Sequence, residues 1–207
     1  MSVRTASART PLLRNIISSS TKSPRRAFFS LPTSDSNTHQ TLAATRTLPY
    51  PQDALYELIA DVDSYAQFVP YCSHSRVTRW TDPDANGRKW PALADLHVGW
   101  GGFNEEFTSR LRCVPGVSVE AVSGDPGSGP GSSDASAVFK SLVTRWSLRS
   151  LSSSSATTSS TPSTEVHLGI KYQFTSPLYA AVSAAVSDKV AGLMIEAFEK
   201  QAFKRLG

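Results

Sequence analysis

Cysteine and methionine are scarce in this chain, two of each among 207 residues. Cys72 and Cys113 form no CxxC pair and stand in no Cys/His cluster with metal-ligand spacing, so a structural zinc site is excluded and no metal ligand is assigned. Free buried thiols are the expected state in a reducing compartment, with a single disulfide left open. An uninterrupted apolar run of eighteen or more residues is also missing, so no membrane-spanning helix is expected and any membrane contact is peripheral. A third absence is local: residues 1–34 contain no Asp or Glu.

That last absence redirects the charge argument. The formal net charge is +4 and the pI about 9.2, values that suggest a polyanionic partner. Residues 1–34, however, hold Arg4, Arg9, Arg14, Lys22, Arg25 and Arg26. Without those six, 15 of the 21 basic residues face 17 acidic ones, a balance of −2. With no aromatic-basic stripe either, a nucleic-acid partner is not expected. The leader is rich in Arg, Ser and Thr and places Leu12, Leu13, Ile16 and Ile17 among its arginines, the pattern of a mitochondrial transit peptide. Processing is expected near residues 28–35, and a basic tail is the alternative.

The folded part is expected over residues 39–207, one domain by length and by its hydrophobic content of 40%. Thr41 to Leu48 reads as a strand stopped by Pro49 and Pro51. Gln52 to Ala60 places Ala54, Leu55, Leu58 and Ile59 on one helical face, and Asp61 to Val69 reads as a second short helix, halted by Pro70. Alternation of apolar and polar residues predicts antiparallel strands at 73–80, 89–98, 104–114, 117–123, 137–150 and 164–175. Phe107, Ser109, Leu111 and Cys113 share one face of the third of these. Two low-complexity segments, 124–135 and 152–163, cannot bury enough apolar surface to order themselves, so mobile loops are expected there. The glycines of the first lack the Lys-Ser/Thr ending of a phosphate-binding loop. Ser176 can cap a final helix running to Leu206, with Pro177 at its first position and Leu178, Val182, Ala185, Val186, Val190, Leu193, Met194, Ala197 and Phe198 at helical steps. Thirty residues at 1.5 Å make a rod of roughly 45 Å, long enough to cross the domain.

Two stretches are more specific, Asp61 to Val77 (DVDSYAQFVPYCSHSRV) and His97 to Arg110 (HVGWGGFNEEFTSR). With Phe139, Trp146, Phe174 to Tyr179 and Met194 to Glu199, they resemble the mitochondrial coenzyme Q-binding proteins, members of the START/polyketide-cyclase superfamily. The resemblance covers about Thr45 to Gly207 and departs at Trp100, where Phe is expected, and at Gly101-Gly102-Phe103, where many relatives carry a proline turn. It implies an α+β helix-grip fold: a curved antiparallel sheet of about seven strands wrapped on a long C-terminal helix, with two short helices after the first strand. It implies also a non-enzymatic protein that holds ubiquinone or a related polyisoprenoid lipid in an apolar cavity. Such a protein would lie peripherally on the matrix side of the mitochondrial inner membrane, in contact with respiratory or ubiquinone-biosynthesis complexes, with the quinone as bound ligand and no other cofactor.

The lipid-binding candidates are Phe68, Val69, Pro70, Leu96, Val98, Trp100, Phe103, Phe107, Trp146, Met194 and Phe198. Ordinary core packing is the competing role for each, and Val69, Pro70, Trp100 and Phe103 could instead form a membrane-touching rim. Pockets for small ligands span roughly 300 to 1,000 Å³, so the head ring and nearest isoprene units are expected inside. Two other classes of function compete. A polyketide-cyclase-like enzyme would need an acid-base pair, for which Asp95 and His97 are the neighbours available. Bacterial relatives have been linked to ribosomes, which would make this an interaction protein. No catalytic residue is assigned.

Overall fold

The computed structural model describes residues 39–100, 103–124, 138–151 and 162–207, apart from the side chains of Trp100, Phe103 and residues 177–188. The leader 1–34 and most of the two low-complexity segments lie outside the described residues. Strand β1 (Gln40–Leu48) ends at the Pro49-Tyr50-Pro51 break, and helix α1 (Gln52–Ala60) follows. Its buried face is Leu55, Tyr56, Leu58, Ile59 and Ala60, which adds Tyr56 to the expected set and leaves Ala54 only half-buried.

The second short helix differs from expectation. Val62–Gln67 is a 3-10 helix, not an α-helix over Asp61 to Val69. The Ser64 amide reaches the Asp61 carbonyl at 3.1 Å and the Ser64 hydroxyl donates to the same oxygen at 2.9 Å. A serine satisfying the carbonyl three residues back competes with the α ladder and tightens the turn. The tighter turn stacks Val62 and Tyr65 on one buried side, and the Tyr65 hydroxyl donates back to the Ile59 carbonyl at 2.6 Å.

Strands β2 (Cys72–Trp80), β3 (Pro91–Trp100), β4 (Phe103–Val114), β5 (Ser118–Ser123), β6 (Phe139–Ser150) and β7 (Thr164–Phe174) complete one antiparallel sheet in the order β1-β7-β6-β5-β4-β3-β2. Five consecutive pairings are meander steps, while β1 closes against β7. The first two strands therefore form opposite edges, and α1 with the 3-10 helix carries the chain between them. The β2 edge is covered on the way: the Val77 amide donates to Asp63 Oδ1 and the Ser75 hydroxyl to the Val62 carbonyl, both at 2.6 Å. The Val77 bond removes one unpaired amide that another strand could use. Gln52 ties the other end, its side-chain amide donating to the Gly116 carbonyl (2.6 Å) and its oxygen accepting from the Ser150 amide (2.8 Å).

Helix α2 (Pro177–Leu206) packs on β1 and β7. Its buried face is Ala191, Ile195, Phe198 and Ala202, at steps of four, three and four. Leu193, expected inside, is exposed, because two residues turn it about 200° from Ala191. Arg46 on β1 meets Glu199 at 3.2 Å and Glu196 at 3.9 Å, a surface tie of the kind worth under about 1 kcal/mol.

Candidate ligand cavity

The interior is divided. A large cluster gathers α1, α2 and β5 to β7 around Tyr56, Ile59, Trp146, Leu168, Ile195 and Phe198, and a smaller one gathers the 3-10 helix with β2 and β3 around Val62, Tyr65, Cys72, Val77 and Ala94. Phe68 and Leu111 touch both. Between the two lies a cavity of about 200 Å³. Its walls take Val62, Tyr65 and Cys72 from the smaller cluster and Val119, Trp146, Ile170, Tyr172 and Phe174 from the larger. The period-two alternation of β4 sends Phe107, Ser109 and Leu111 inward, and α2 contributes Val190 and Met194. Among the described residues, none that lines the cavity is charged.

Of the expected candidates, Val69, Pro70, Leu96, Val98, Phe107, Trp146 and Met194 are brought together around this cavity. Phe68 and Phe198 are not. Phe68 packs edge-on against Tyr65 at 5.6 Å between the clusters. Phe198, 1% exposed, lies behind Trp146 with ring centroids 5.1 Å apart, so it supports the wall from the helix side. The side chains of Trp100 and Phe103 lie outside the described residues. The volume is also below the expected range. An engineered apolar cavity of about 150 Å³ holds one benzene, so this one takes a single substituted ring with little of any tail.

The lining reaches the surface at Tyr71, 43% exposed and, among the described residues, the one non-glycine at positive φ (65°). An aromatic residue is costly in that region of backbone space and is held only by its surroundings. Here the Tyr71 carbonyl accepts the Gly99 amide at 2.9 Å, fastening the Pro70-Tyr71 corner to the end of β3.

Burial governs the acid-base state of the interior groups. The Tyr65 hydroxyl is pushed far above its ordinary range, first by burial and then by the neighbouring Cys113, and burial likewise raises the Cys72 thiol. Asp95 and His97, the acid-histidine neighbours, occupy the other face of β3 from the lining residues Leu96 and Val98. Asp95 accepts from the Thr108 hydroxyl at 2.6 Å, while His97 Nε2 lies 3.1 Å from Glu106 and its ring 4.9 Å from that of His74. The pair thus points away from the cavity and is engaged with outer-face neighbours.

Residues 48–199 match the model of the polyketide cyclase/dehydrase and lipid transport family, from the last residue of β1 almost to the end of α2. The chain belongs to that family. Within it, the chain is 33% identical over 161 residues to the mitochondrial coenzyme Q-binding protein coq10 of Schizosaccharomyces pombe, a match spanning 77% of this chain and 84% of that one. It is 28% identical to the ribosome association toxin RatA of Pseudomonas aeruginosa, spanning 77% and 93%. Among solved structures, the ZhuI aromatase/cyclase of Streptomyces sp. R1128 superposes with a TM-score of 0.61 at 16% identity, covering 82% of this chain and 97% of that one. The helix-grip fold of the family is therefore the fold of this chain, and the cavity occupies the space between its sheet and its long helix.

Several wall residues of this family member escaped the sequence reading. Tyr172, Ile170 and Phe174 on β7 and Ser123 and Ala121 on β5 line the cavity. Alternation within β4 did carry a signal: once Phe107 is placed inward, Ser109 and Leu111 follow by period two. Which face of β5 and β7 turned inward depended on register across the sheet. Tyr56 had no signal at all. Its hydroxyl is buried without a hydrogen-bond partner among the described residues, beside a Cys113 thiol that donates instead to the Pro91 carbonyl at 3.6 Å.

Proposed function

We propose that this chain binds coenzyme Q without chemically converting it, the quinone ring seated in the cavity and the isoprenoid tail leaving past Tyr71. The observation that carries the reading is the wall itself: a cavity of about 200 Å³, uncharged among the described residues and open at an exposed aromatic residue, fits one neutral ring on an apolar chain. The name of the Schizosaccharomyces pombe relative supports the same ligand and a mitochondrial setting. Each isoprene unit of the tail that leaves water contributes up to about 4 kcal/mol, at ~0.8 kcal/mol per carbon. The cavity is too small to hold the tail, so the ring and the first carbons of the tail supply the affinity for the protein, while the rest of the tail lying along the membrane would keep the loaded protein there. The proposal includes peripheral placement on the matrix side of the inner membrane, with the acid-free leader for delivery and with respiratory electron transport and ubiquinone biosynthesis as the processes served.

The test is organic extraction of the purified protein followed by mass spectrometry. A co-purifying quinone supports the proposal; absence of any quinone or isoprenoid, together with no binding of added quinone, overturns it. Conversion of an added aromatic precursor that is lost in His97→Ala would establish the enzyme reading instead. Salt-sensitive co-sedimentation with ribosomes would favour the role named for the Pseudomonas relative.

A further inference from the structure

Three polar groups in the cavity wall direct their hydrogens away from it. The Tyr65 hydroxyl donates to the Ile59 carbonyl, Tyr172 to Gln40 Oε1 at 2.8 Å, and the Cys72 thiol to the His74 carbonyl at 3.3 Å. Ser109 and Ser123 differ. They face each other across β4 and β5, one step beyond the Arg110↔Val122 pair, with their hydroxyl oxygens 2.6 Å apart. Both line the cavity, and they are 2% and 3% exposed. Two hydroxyls carry two protons, and the bond between them uses one. The second has no acceptor among the described residues. A buried donor left in that state costs about as much as a lost hydrogen bond, so the wall is incomplete until something accepts from it. Thr144, another hydroxyl in the wall, is half-buried, and its requirement is weaker.

The geometry points to the Ser109–Ser123 pair as the anchor that recognises a neutral, oxygen-bearing ring: the free hydroxyl donates to a ring carbonyl, or to the oxygen of a ring hydroxyl. This rests on the quinone reading above and names the group that separates a quinone from a hydrocarbon of equal size. Carbonyl and hydroxyl oxygens both accept, so the pair serves oxidised and reduced rings alike. Carboxylates and phosphates are disfavoured, because no cation among the described residues lines the cavity to offset their desolvation.

The experiment measures displacement of an apolar fluorescent probe from the full chain by a decyl-tailed benzoquinone, its quinol, and decylbenzene. Wild type is expected to prefer the quinone over decylbenzene. In the Ser109→Ala/Ser123→Ala double variant, quinone affinity should fall about three- to tenfold, with decylbenzene unchanged or tighter. Each single variant leaves one hydroxyl free to donate, so each should retain most of the preference. That non-additivity separates anchoring from packing. Equal losses for both ligands, or an unchanged quinone preference in the double variant, overturn the assignment while leaving quinone binding intact. A wild type that binds decylbenzene as tightly as the quinone overturns this assignment alone, whereas a wild type from which the quinone displaces no probe overturns the proposed function with it. Quinol affinity more than tenfold below that of the quinone overturns the two-way role of the pair.

Discussion

Filling the cavity should exchange ligand binding for stability, and Ala121→Phe is the change to make. Ala121 sits mid-strand on β5, paired with Leu111 and Thr144, and its methyl group lines the cavity. A phenyl ring in place of one hydrogen occupies about as much room as the benzene held by a cavity of ~150 Å³, most of the 200 Å³ available here. Unfilled apolar volume costs about 24 cal/mol per Å³, so occupying about 150 Å³ recovers at most about 3.6 kcal/mol. Fixing the new side chain and its imperfect fit reduce that, leaving an expected gain of about 1 to 3 kcal/mol. For a domain of this length, each kcal/mol raises Tm by about 2–4 °C. Urea unfolding should show a higher midpoint at an unchanged slope, and quinone binding should fall at least tenfold. Ala121→Leu should lie between. A folded Ala121→Phe protein that binds quinone as wild type does would refute the placement of the ring, and a loss of more than about 1 kcal/mol would show that the space is not there.

Tyr56→Phe is expected to leave stability unchanged or raise it by about 1 kcal/mol, since it deletes a hydroxyl buried without a partner while keeping the edge contact of the ring with Trp90 at 5.3 Å; chemical denaturation measures it, and a clear loss would reveal an acceptor at that position. The protein should also unfold on the alkaline side. Burial raises the Cys72 and Cys113 thiols above their ordinary value of 9.0, and the Tyr56 and Tyr65 hydroxyls above 10.0. Below pH 9 both folded and unfolded chains keep these protons and the stabilisation is fully present. As pH rises past 9 the unfolded chain releases protons that the folded chain retains, and stability falls until the folded groups ionise in turn. A urea midpoint that holds steady from pH 8 to 11 would contradict this.

The strand pattern was legible because half-buried antiparallel strands alternate, and each predicted strand reappears within a residue or two of its expected bounds. Helix α1 was legible for the same kind of reason, though the buried Tyr56 stood outside the expected face. The 3-10 segment was not: a hydroxyl bond from Ser64 to Asp61 and the reach of Tyr65 back to Ile59 are events of one turn, below the resolution of a periodicity argument. Phe198 illustrates a further limit. A buried aromatic residue on an inward helix face can form the wall or stand behind it, and Trp146 takes the inner place.

By itself the sequence determined the alternating strands, the long terminal helix, the absence of metal-ligand spacing and the confinement of excess positive charge to residues 1–34. Those are properties of neighbours along the chain, set by periodicity, turn residues and composition. The tertiary structure alone decided that two apolar clusters meet without filling the space between them, that Asp95 and His97 face outward, and that two serines fourteen residues apart share one proton inside an uncharged wall. Cavities and unpaired donors arise from register across strands and from volume left over after packing, and no single segment of chain carries either quantity.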